Sequence, residues 1–206
     1  MLTLYDFLDS GNGYKVRLVL CHLGLPFRRV EVDILKGGSH DPAYLARFPN
    51  GKIPAVAFDD GRCLWESNAI AWHLAEGSEL VPDDPFLRAQ VLQWMFFEQY
   101  SHEPNIAVAR FWQHYVDPAK VDPKQLEQKM KGGNKALKVM DEHLATTPFF
   151  VGGAFSVADI ALYGYTHVAH EGGFDLAAYP AVQAWLERVA ARPGHVLITD
   201  DLGETV

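Results

Sequence analysis

Two stretches of the chain combine polar side chains with backbone positions that suit an anionic ligand. In the first, Ser10 and Asn12 lie in the run Leu8-Asp-Ser-Gly-Asn-Gly13. This run separates a strand-like segment from a helical one, so both side chains are expected at the positive end of a helix. Hydroxyl and amide groups at that end can donate hydrogen bonds to an anion. The same residue types also form turns and caps, and that simpler role stays open.

A proline in the second stretch predicts an exposed edge of the main chain. Ile53-Pro54 precedes the apolar, strand-like run Ala55 to Phe58. Because proline lacks the N–H group that a ladder position uses, we expect Pro54 at the first residue of the strand. If the bond between Ile53 and Pro54 is cis, the turn exposes the backbone of Ile53.

Glu66 and Ser67 predict the other end of the same ligand site. They precede apolar residues at helical spacing, so Ser67 is expected to be the N-cap and its neighbouring amides to bind an anion. The turn Asp59-Asp-Gly-Arg62 is typical of a β-hairpin and precedes a second strand, Cys63 to Trp65. An extended ligand could therefore contact free backbone at Ile53 and place a carboxylate at Ser67.

The elements that position these residues form an α/β domain over residues 1–77. Leu2 to Asp6 alternates like a strand, Tyr14 to Leu23 has helical spacing, and Phe27 to Ile34 returns to a strand pattern. A strand, helix and strand in this order imply a right-handed crossover and a parallel pair. With the hairpin, the pattern predicts a four-stranded mixed sheet with helices on both faces, the thioredoxin-like arrangement.

The rest of the chain predicts a second, all-helical domain. Residues 78–84 are expected to form a linker, because the stretch from Ala75 to Pro85 has no sustained periodicity and carries a glycine and two prolines. Residues 85–206 then carry helical signals throughout. Ser156 and Asp159 have capping-box spacing, which indicates the start of one of these helices.

The order of x-Pro, hairpin, Glu-Ser and helix resembles the cytosolic glutathione transferases, and the resemblance covers nearly the whole chain. In that family the residue before a cis-proline pairs its backbone with the cysteinyl unit of glutathione, and the Glu-Ser pair holds the γ-glutamyl end. In theta-like members a His and a Lys reach the glycine carboxylate. The resemblance therefore implies a glutathione site formed by His40, Lys52, Ile53, Pro54, Glu66 and Ser67.

The loop before the first helix resembles two groups within this family. Counting back from Leu25-Pro26, Ser10 falls where theta-like members keep a serine that stabilises a thiolate. The run Ser-Gly-Asn-Gly-Tyr-Lys-Val also resembles the Thr-Pro-Asn-Gly-x-Lys-Val of nu-class bacterial members, in which the Thr and Asn positions both approach the sulfur. The resemblance implies Ser10 and Asn12 as catalytic residues, and it leaves open which of the two dominates.

The chemistry implied is ionisation of the glutathione thiol. A thiol has an unperturbed pKa of about 8.5, and lowering it by two units requires about 2.7 kcal/mol in favour of the thiolate. One charge-assisted hydrogen bond and a helix N-terminus together supply about that much. The implied reaction is attack of the bound thiolate on an electrophilic small molecule. A glutathione-dependent disulfide reductase or peroxidase, and a non-catalytic glutathione-binding member, are the alternatives.

Aromatic residues are candidates for a second, apolar pocket that faces the sulfur. Aromatic stripes at helical spacing are also typical of a core, and that interpretation stays open. The implied partners are glutathione and a hydrophobic electrophile or disulfide, and the resemblance implies a homodimer. The pocket candidates are Tyr14, Phe111, Trp112 and Tyr115.

Composition and charge argue against several other classes of protein. The 206 residues are 49% hydrophobic and carry a net charge of −8. Without a basic run, we expect neither nucleic acid nor an anionic membrane as a partner. No apolar run approaches the roughly 18–20 residues of a membrane span, and the N-terminal residues do not resemble a signal peptide, which predicts a cytoplasmic protein.

The potential metal ligands and cysteines do not indicate a further cofactor. No His, Cys or carboxylate cluster has metal-binding spacing, and Gly11-x-Gly13 lacks the rest of a phosphate-binding fingerprint. Cys21 and Cys63 are far apart and form no Cys-x-x-Cys pair, so structural thiols are expected. We therefore expect no metal and no cofactor, with glutathione as the co-substrate.

Overall fold

The structure, a computed structural model, describes residues 1–205. The chain divides into two compact units. The first unit contains Met1–Ser78 together with the segment from Pro193 onward, and the second contains Glu79–Arg192. The sequence predicted a helical domain that extends to residue 206, whereas the final segment packs with the first unit.

A mixed sheet forms the centre of the first unit. Its strand order is β4-β3-β1-β2-β5. Strand β1 pairs parallel with β2 and antiparallel with β3, and β3 pairs antiparallel with β4. The predicted four-stranded mixed sheet is confirmed, and a two-residue strand, β5, extends it at β2. The strands are β1 (Leu2–Asp6), β2 (Phe27–Glu31), β3 (Ala55–Phe58), β4 (Cys63–Trp65) and β5 (Glu204–Thr205).

Helices cover the sheet because β1 and β3 place apolar residues on both of its faces. On one face Leu4, Val56 and Ile70 form a core with the first and third helices. On the other face Phe48 and Ala55 form a second cluster. The helices of this unit are α1 (Gly11–His22), α2 (Pro42–Leu45) and α3 (Ser67–Ala75), with short 3-10 helices at Ile34–Lys36 and Gly38–His40.

The second unit is helical, as predicted. Asp159 accepts a hydrogen bond from the main-chain N–H of Ser156 at 2.9 Å, which completes the predicted capping box at the start of α7 (Val157–Thr166). A π-helical turn at Glu98–His102 joins the first two helices of this unit. The other main helices are α4 (Pro85–Phe97), α5 (Glu103–Tyr115), α6 (Pro123–Leu144) and α8 (Pro180–Ala190), with 3-10 helices at Pro118–Lys120, Ala169–Gly172 and Leu176–Ala178.

A buried ion pair joins the sheet to α1 in the first unit. Arg17 Nε lies 3.0 Å from Asp6 Oδ2, and both side chains are fully buried. The same guanidinium donates to the main-chain oxygens of Leu8 and of Ile198, the latter at 2.9 Å. Arg17 therefore connects the end of β1, the following loop and the C-terminal segment.

Further contacts explain why the C-terminal segment belongs to the first unit. The hydroxyl group of Tyr14 donates to the main-chain oxygen of Val196 at 2.5 Å. Strand β5 pairs with β2, and Arg29 forms an ion pair with Asp201 at 2.9 Å. Because these partners are about 170–180 residues apart in the chain, no local sequence pattern indicated them.

Within residues 1–205, every helix is too short or too polar to traverse a lipid bilayer.

Removing Arg17 should strongly destabilise the protein. The substitution Arg17→Met leaves the Asp6 carboxylate buried without its cationic partner, so we expect the free energy of unfolding to fall by about 3–5 kcal/mol. Burial raises the pKa of Asp6 to about 7 even beside Arg17, and loss of the guanidinium should raise it further. A carboxyl group with a higher pKa in the folded state loses stability as the pH rises through that value. The variant should therefore be less stable at about pH 8 than at about pH 5.

Urea unfolding of the variant at both pH values measures this effect. Arg62→Met is the matched control, because Arg62 and its partner Asp60 are both exposed. A loss below about 1 kcal/mol, the range of an exposed pair, would contradict the role given to Arg17.

Candidate active site

Ser10 caps α1 and keeps a hydrogen-bond donor for a ligand. Its Oγ accepts a hydrogen bond from the N–H of Gly13 at 3.3 Å, and its main-chain oxygen accepts from Tyr14 N–H at 2.8 Å. A hydroxyl oxygen that accepts can still donate its own hydrogen to another group. The side chain therefore lies at the positive end of α1, as the sequence predicted. Its hydroxyl hydrogen can be donated to a ligand in a hydrogen bond.

Asn12 connects the first turn of α1 to the start of α3. Its Oδ1 atom accepts a hydrogen bond from Lys15 Nζ at 2.8 Å and another from Ser67 Oγ at 3.2 Å. Asn12 and Ser67 are 55 residues apart in the chain. The structure thus brings the two predicted anion-binding stretches into direct contact.

Glu66 has an unusual backbone conformation at the start of α3. Its φ angle is 74°, and within residues 1–205 no other non-glycine residue has a positive φ. Glu66 occupies the N-cap position and Ser67 is the first helical residue, so the prediction of Ser67 as the N-cap was wrong by one residue. A non-glycine residue in this region costs about 1–3 kcal/mol, and such strain is concentrated at functional sites.

The backbone around Ile53 has the predicted arrangement. The peptide bond between Ile53 and Pro54 is cis. Pairing of β3 with its neighbours begins at Ala55, so Ile53 precedes the ladder. The side chain of Lys52 is exposed, and its main-chain oxygen accepts a hydrogen bond from the Tyr44 hydroxyl group at 2.6 Å.

His40 and Asn50 border the same region. A Cβ atom added to Gly51 would lie 3.5 Å from His40 Nε2, so the imidazole ring lies against the backbone next to Lys52. Asn50 Nδ2 donates to Glu66 Oε1 at 3.4 Å. Sequence reasoning missed Asn50, because an asparagine before a glycine indicates only a turn. The structure therefore places His40 against Gly51, joins Asn50 to Glu66, and joins Ser67 to Asn12.

Comparison with known sequences identifies the family of this protein. The model of the glutathione S-transferase N-terminal domain matches residues 1–76, and the model of the C-terminal domain matches residues 105–193. The disulfide-bond oxidoreductase YfcG of Escherichia coli (strain K12) is 33% identical over 99% of this chain and 98% of its own length. The chain belongs to the glutathione S-transferase family. The resemblance read from the sequence is confirmed.

Solved structures agree with this assignment. A glutathione S-transferase from Pseudomonas fluorescens Pf-5 superposes with a TM-score of 0.93 and 53% identity, covering 97% of this chain and 99% of its own. A glutathione transferase from Pseudomonas putida, with one glutathione disulfide bound per subunit, gives a TM-score of 0.84 at 28% identity over 94% of this chain and 88% of its own. The fold of this transferase family member is thus that of bacterial relatives.

The aromatic residues predicted for a second pocket divide into two groups. Tyr14 is only 1% exposed, and its hydroxyl group is bonded to Val196, so it packs in the core and presents no surface to a ligand. Phe111 and Tyr115 lie on α5 with ring centroids 5.4 Å apart, and Phe111 is 39% exposed. Trp112, also on α5, borders a surface cavity of about 270 Å³. We keep only the three α5 residues as pocket candidates.

The described part of the transferase contains neither a disulfide bond nor a group of side chains that could bind a metal. Cys21 and Cys63 are both free. Among the residues that the structure describes, no group of His, Cys, Asp and Glu side chains has the geometry to hold a metal ion.

The conformation of Glu66 predicts that replacing this residue with glycine makes the protein more stable. Glycine adopts a positive φ without a Cβ clash, so Glu66→Gly should raise the free energy of unfolding by about 1 kcal/mol after the added freedom of the unfolded chain is counted. Glu66→Gln keeps the side-chain shape and the strain, and should not stabilise the protein. Urea unfolding of the two variants decides: a glycine variant that is no more stable than the Gln variant would show that residue 66 is not strained.

Proposed function

We propose that this glutathione transferase activates the thiol of glutathione at Ser10 and Asn12 while the first unit holds the peptide. The observation that carries the proposal is the hydrogen bond that Ser67 Oγ donates to Asn12 Oδ1, which joins the loop before α1 to the start of α3. A ligand bound at the start of α3 would therefore lie beside the start of α1. Two helix N-termini then act on one anionic ligand.

In this proposal each part of glutathione has a partner of matching chemistry. The cysteinyl unit pairs with the backbone of Ile53, which precedes the ladder of β3. Glu66 and Ser67 hold the γ-glutamyl end, where the N-terminus of α3 favours a carboxylate. The exposed ammonium group of Lys52, together with His40, attracts the glycine carboxylate. Pro54 fixes the turn that presents Ile53.

The thiol is ionised by hydrogen bonding and by the helix field. The Ser10 hydroxyl group accepts from Gly13 N–H and donates its hydrogen to the sulfur. A hydrogen bond to a charged group contributes about 1.5–3 kcal/mol, and a helix N-terminus adds about 0.3–1 kcal/mol. Together they reach the range needed to ionise the thiol at neutral pH. The thiolate then attacks an electrophilic carbon, forming an S–C bond while the leaving group departs with its electron pair.

Membership of the family supports a proposal for the second substrate and for the assembly. We propose a hydrophobic electrophile whose apolar part contacts the α5 aromatics Phe111, Trp112 and Tyr115. We also propose a homodimer acting in the cytoplasm, with no metal or organic cofactor beyond glutathione itself.

Reduction of disulfides is the second candidate function, and a specific observation favours it. YfcG, a disulfide-bond oxidoreductase, aligns with nearly the whole chain, and the Pseudomonas putida relative holds glutathione disulfide. In this reaction the glutathione thiolate attacks a disulfide, one thiol leaves, and a mixed disulfide forms. A second glutathione resolves it and releases glutathione disulfide, so that no protein cysteine is oxidised.

The proposed roles predict the behaviour of the bound thiol in Ser10→Ala. Loss of one hydrogen bond to the thiolate should raise the pKa of the bound thiol by about one unit and lower kcat about tenfold, with a smaller change in affinity. An ultraviolet difference titration with glutathione measures thiolate directly, and Asn12→Ala is measured in parallel. Ser78→Ala is the control, because Ser78 donates to the Ala75 oxygen at the far end of α3. A thiol pKa unchanged in both site variants would exclude these residues as the activating groups.

Activity assays with one substrate of each kind distinguish the two candidate functions. We expect turnover of an aryl halide such as chlorodinitrobenzene by the wild-type protein, detected as a glutathione conjugate. Turnover of hydroxyethyl disulfide alone, with glutathione disulfide as the product and no conjugate, would replace the transferase proposal by the reductase.

A further inference from the structure

Lys15 is a buried cation beside a proposed catalytic residue. Its side chain is 0% exposed, although lysine is almost never fully buried without a specific partner. Its Nζ atom lies 2.8 Å from Asn12 Oδ1, at the i+3 position of the same helix. None of the roles described above uses this lysine.

The contact fixes the orientation of the Asn12 amide. An ammonium group has donors only, so the atom of the amide that faces Lys15 must be the oxygen. Ser67 Oγ is the second neighbour of this oxygen, at 3.2 Å. Without such partners the terminal torsion of an asparagine is broad and nearly two-fold, so either end of the amide can face a ligand. Lys15 and Ser67 remove that freedom, and the NH₂ group must lie on the opposite side.

We propose that Lys15 is a positioning residue for thiol activation, which orients Asn12 so that its N–H groups face the glutathione sulfur. This inference rests on the proposed function, in which Asn12 contacts the sulfur. With the amide reversed, its oxygen would face the thiolate and repel it. With the amide held, the sulfur has a second donor beside Ser10. Lys15 thus acts through Asn12 and does not touch the substrate.

The other charged groups near this contact belong to Glu66 and to the Asp6–Arg17 pair. Glu66 precedes Ser67 at the start of α3. The Asp6–Arg17 pair lies beneath the first turn of α1, where a Cβ atom on Gly13 would meet the Asp6 carboxylate.

The test replaces the ammonium group and keeps the apolar stem, in Lys15→Met. We expect the pKa of bound glutathione to rise by about one unit, with kcat about tenfold lower at neutral pH. At about pH 5.5, where the bound thiol is largely protonated, the glutathione dissociation constant measured by calorimetry should change less than about twofold, because Lys15 does not hold the peptide. Lys15→Arg, which keeps a cationic donor, should restore most of the activity. Lys36→Met, at an exposed lysine of the same unit, is the control.

A double-mutant cycle distinguishes positioning from a direct effect of charge. In an Asn12→Ala background, Lys15→Met should leave the thiol pKa nearly unchanged, since no amide remains to be oriented. If the full shift persists there, Lys15 acts directly on the sulfur, and the positioning role is overturned. If the wild-type protein shows no thiolate signal at all, the proposed function itself fails, which is a different result from failure of the cycle.

A measurement on the wild-type protein keeps the test independent of how the variants fold. The side-chain ¹⁵N–H signals of Asn12, assigned by their loss in Asn12→Ala, should shift downfield when glutathione is added, because the amide donates to the sulfur. Signals that do not move at saturating glutathione would overturn the proposal.

Discussion

The ion pair between Asp6 and Arg17 is the constraint on which the first unit depends. Both side chains are fully buried, and burying two charges gives little net stability, because desolvation offsets their attraction. The pair instead fixes the positions of the segments that surround it. Arg17 has donors left after pairing, and it uses them on the main-chain oxygens of Leu8 and Ile198. One guanidinium group therefore fixes where β1 ends, how the following loop begins and where the C-terminal segment lies.

We propose a site at helix starts because the first turn of a helix has N–H groups without intrahelical partners. Ser10 satisfies one of these in α1 and keeps its own proton. Glu66 precedes α3 with a positive φ, a strained conformation for a residue other than glycine. The hydrogen bond from Ser67 to Asn12 then couples the two helix starts. The strain at Glu66 and the burial of Lys15 both cost stability, which is consistent with residues retained for binding and chemistry.

Features that depend on neighbouring residues could be predicted from the sequence, whereas contacts between distant residues could not. The alternation of β1, the Asp-Gly hairpin turn and the capping box of Ser156 each act within a few residues, so the sequence shows them directly. The C-terminal strand and the contact between Asn50 and Glu66 join distant residues without any repeat. Tyr14 was assigned to a pocket because helical spacing identifies an aromatic face but not which neighbour covers it, and here the C-terminal segment does.

Both candidate reactions begin with the same species, a glutathione thiolate held by the loop before α1. Groups that stabilise this thiolate lower the barrier for attack on carbon and on sulfur alike, so the thiol-activating residues set the rate of either reaction and cannot choose between them. Selectivity must come from contacts with the second substrate. A disulfide of two glutathiones would be recognised by polar groups, whereas an aryl electrophile needs apolar surface. Phe111 offers exposed apolar surface on α5, and this is the basis on which we propose that residue for contact with a hydrophobic electrophile.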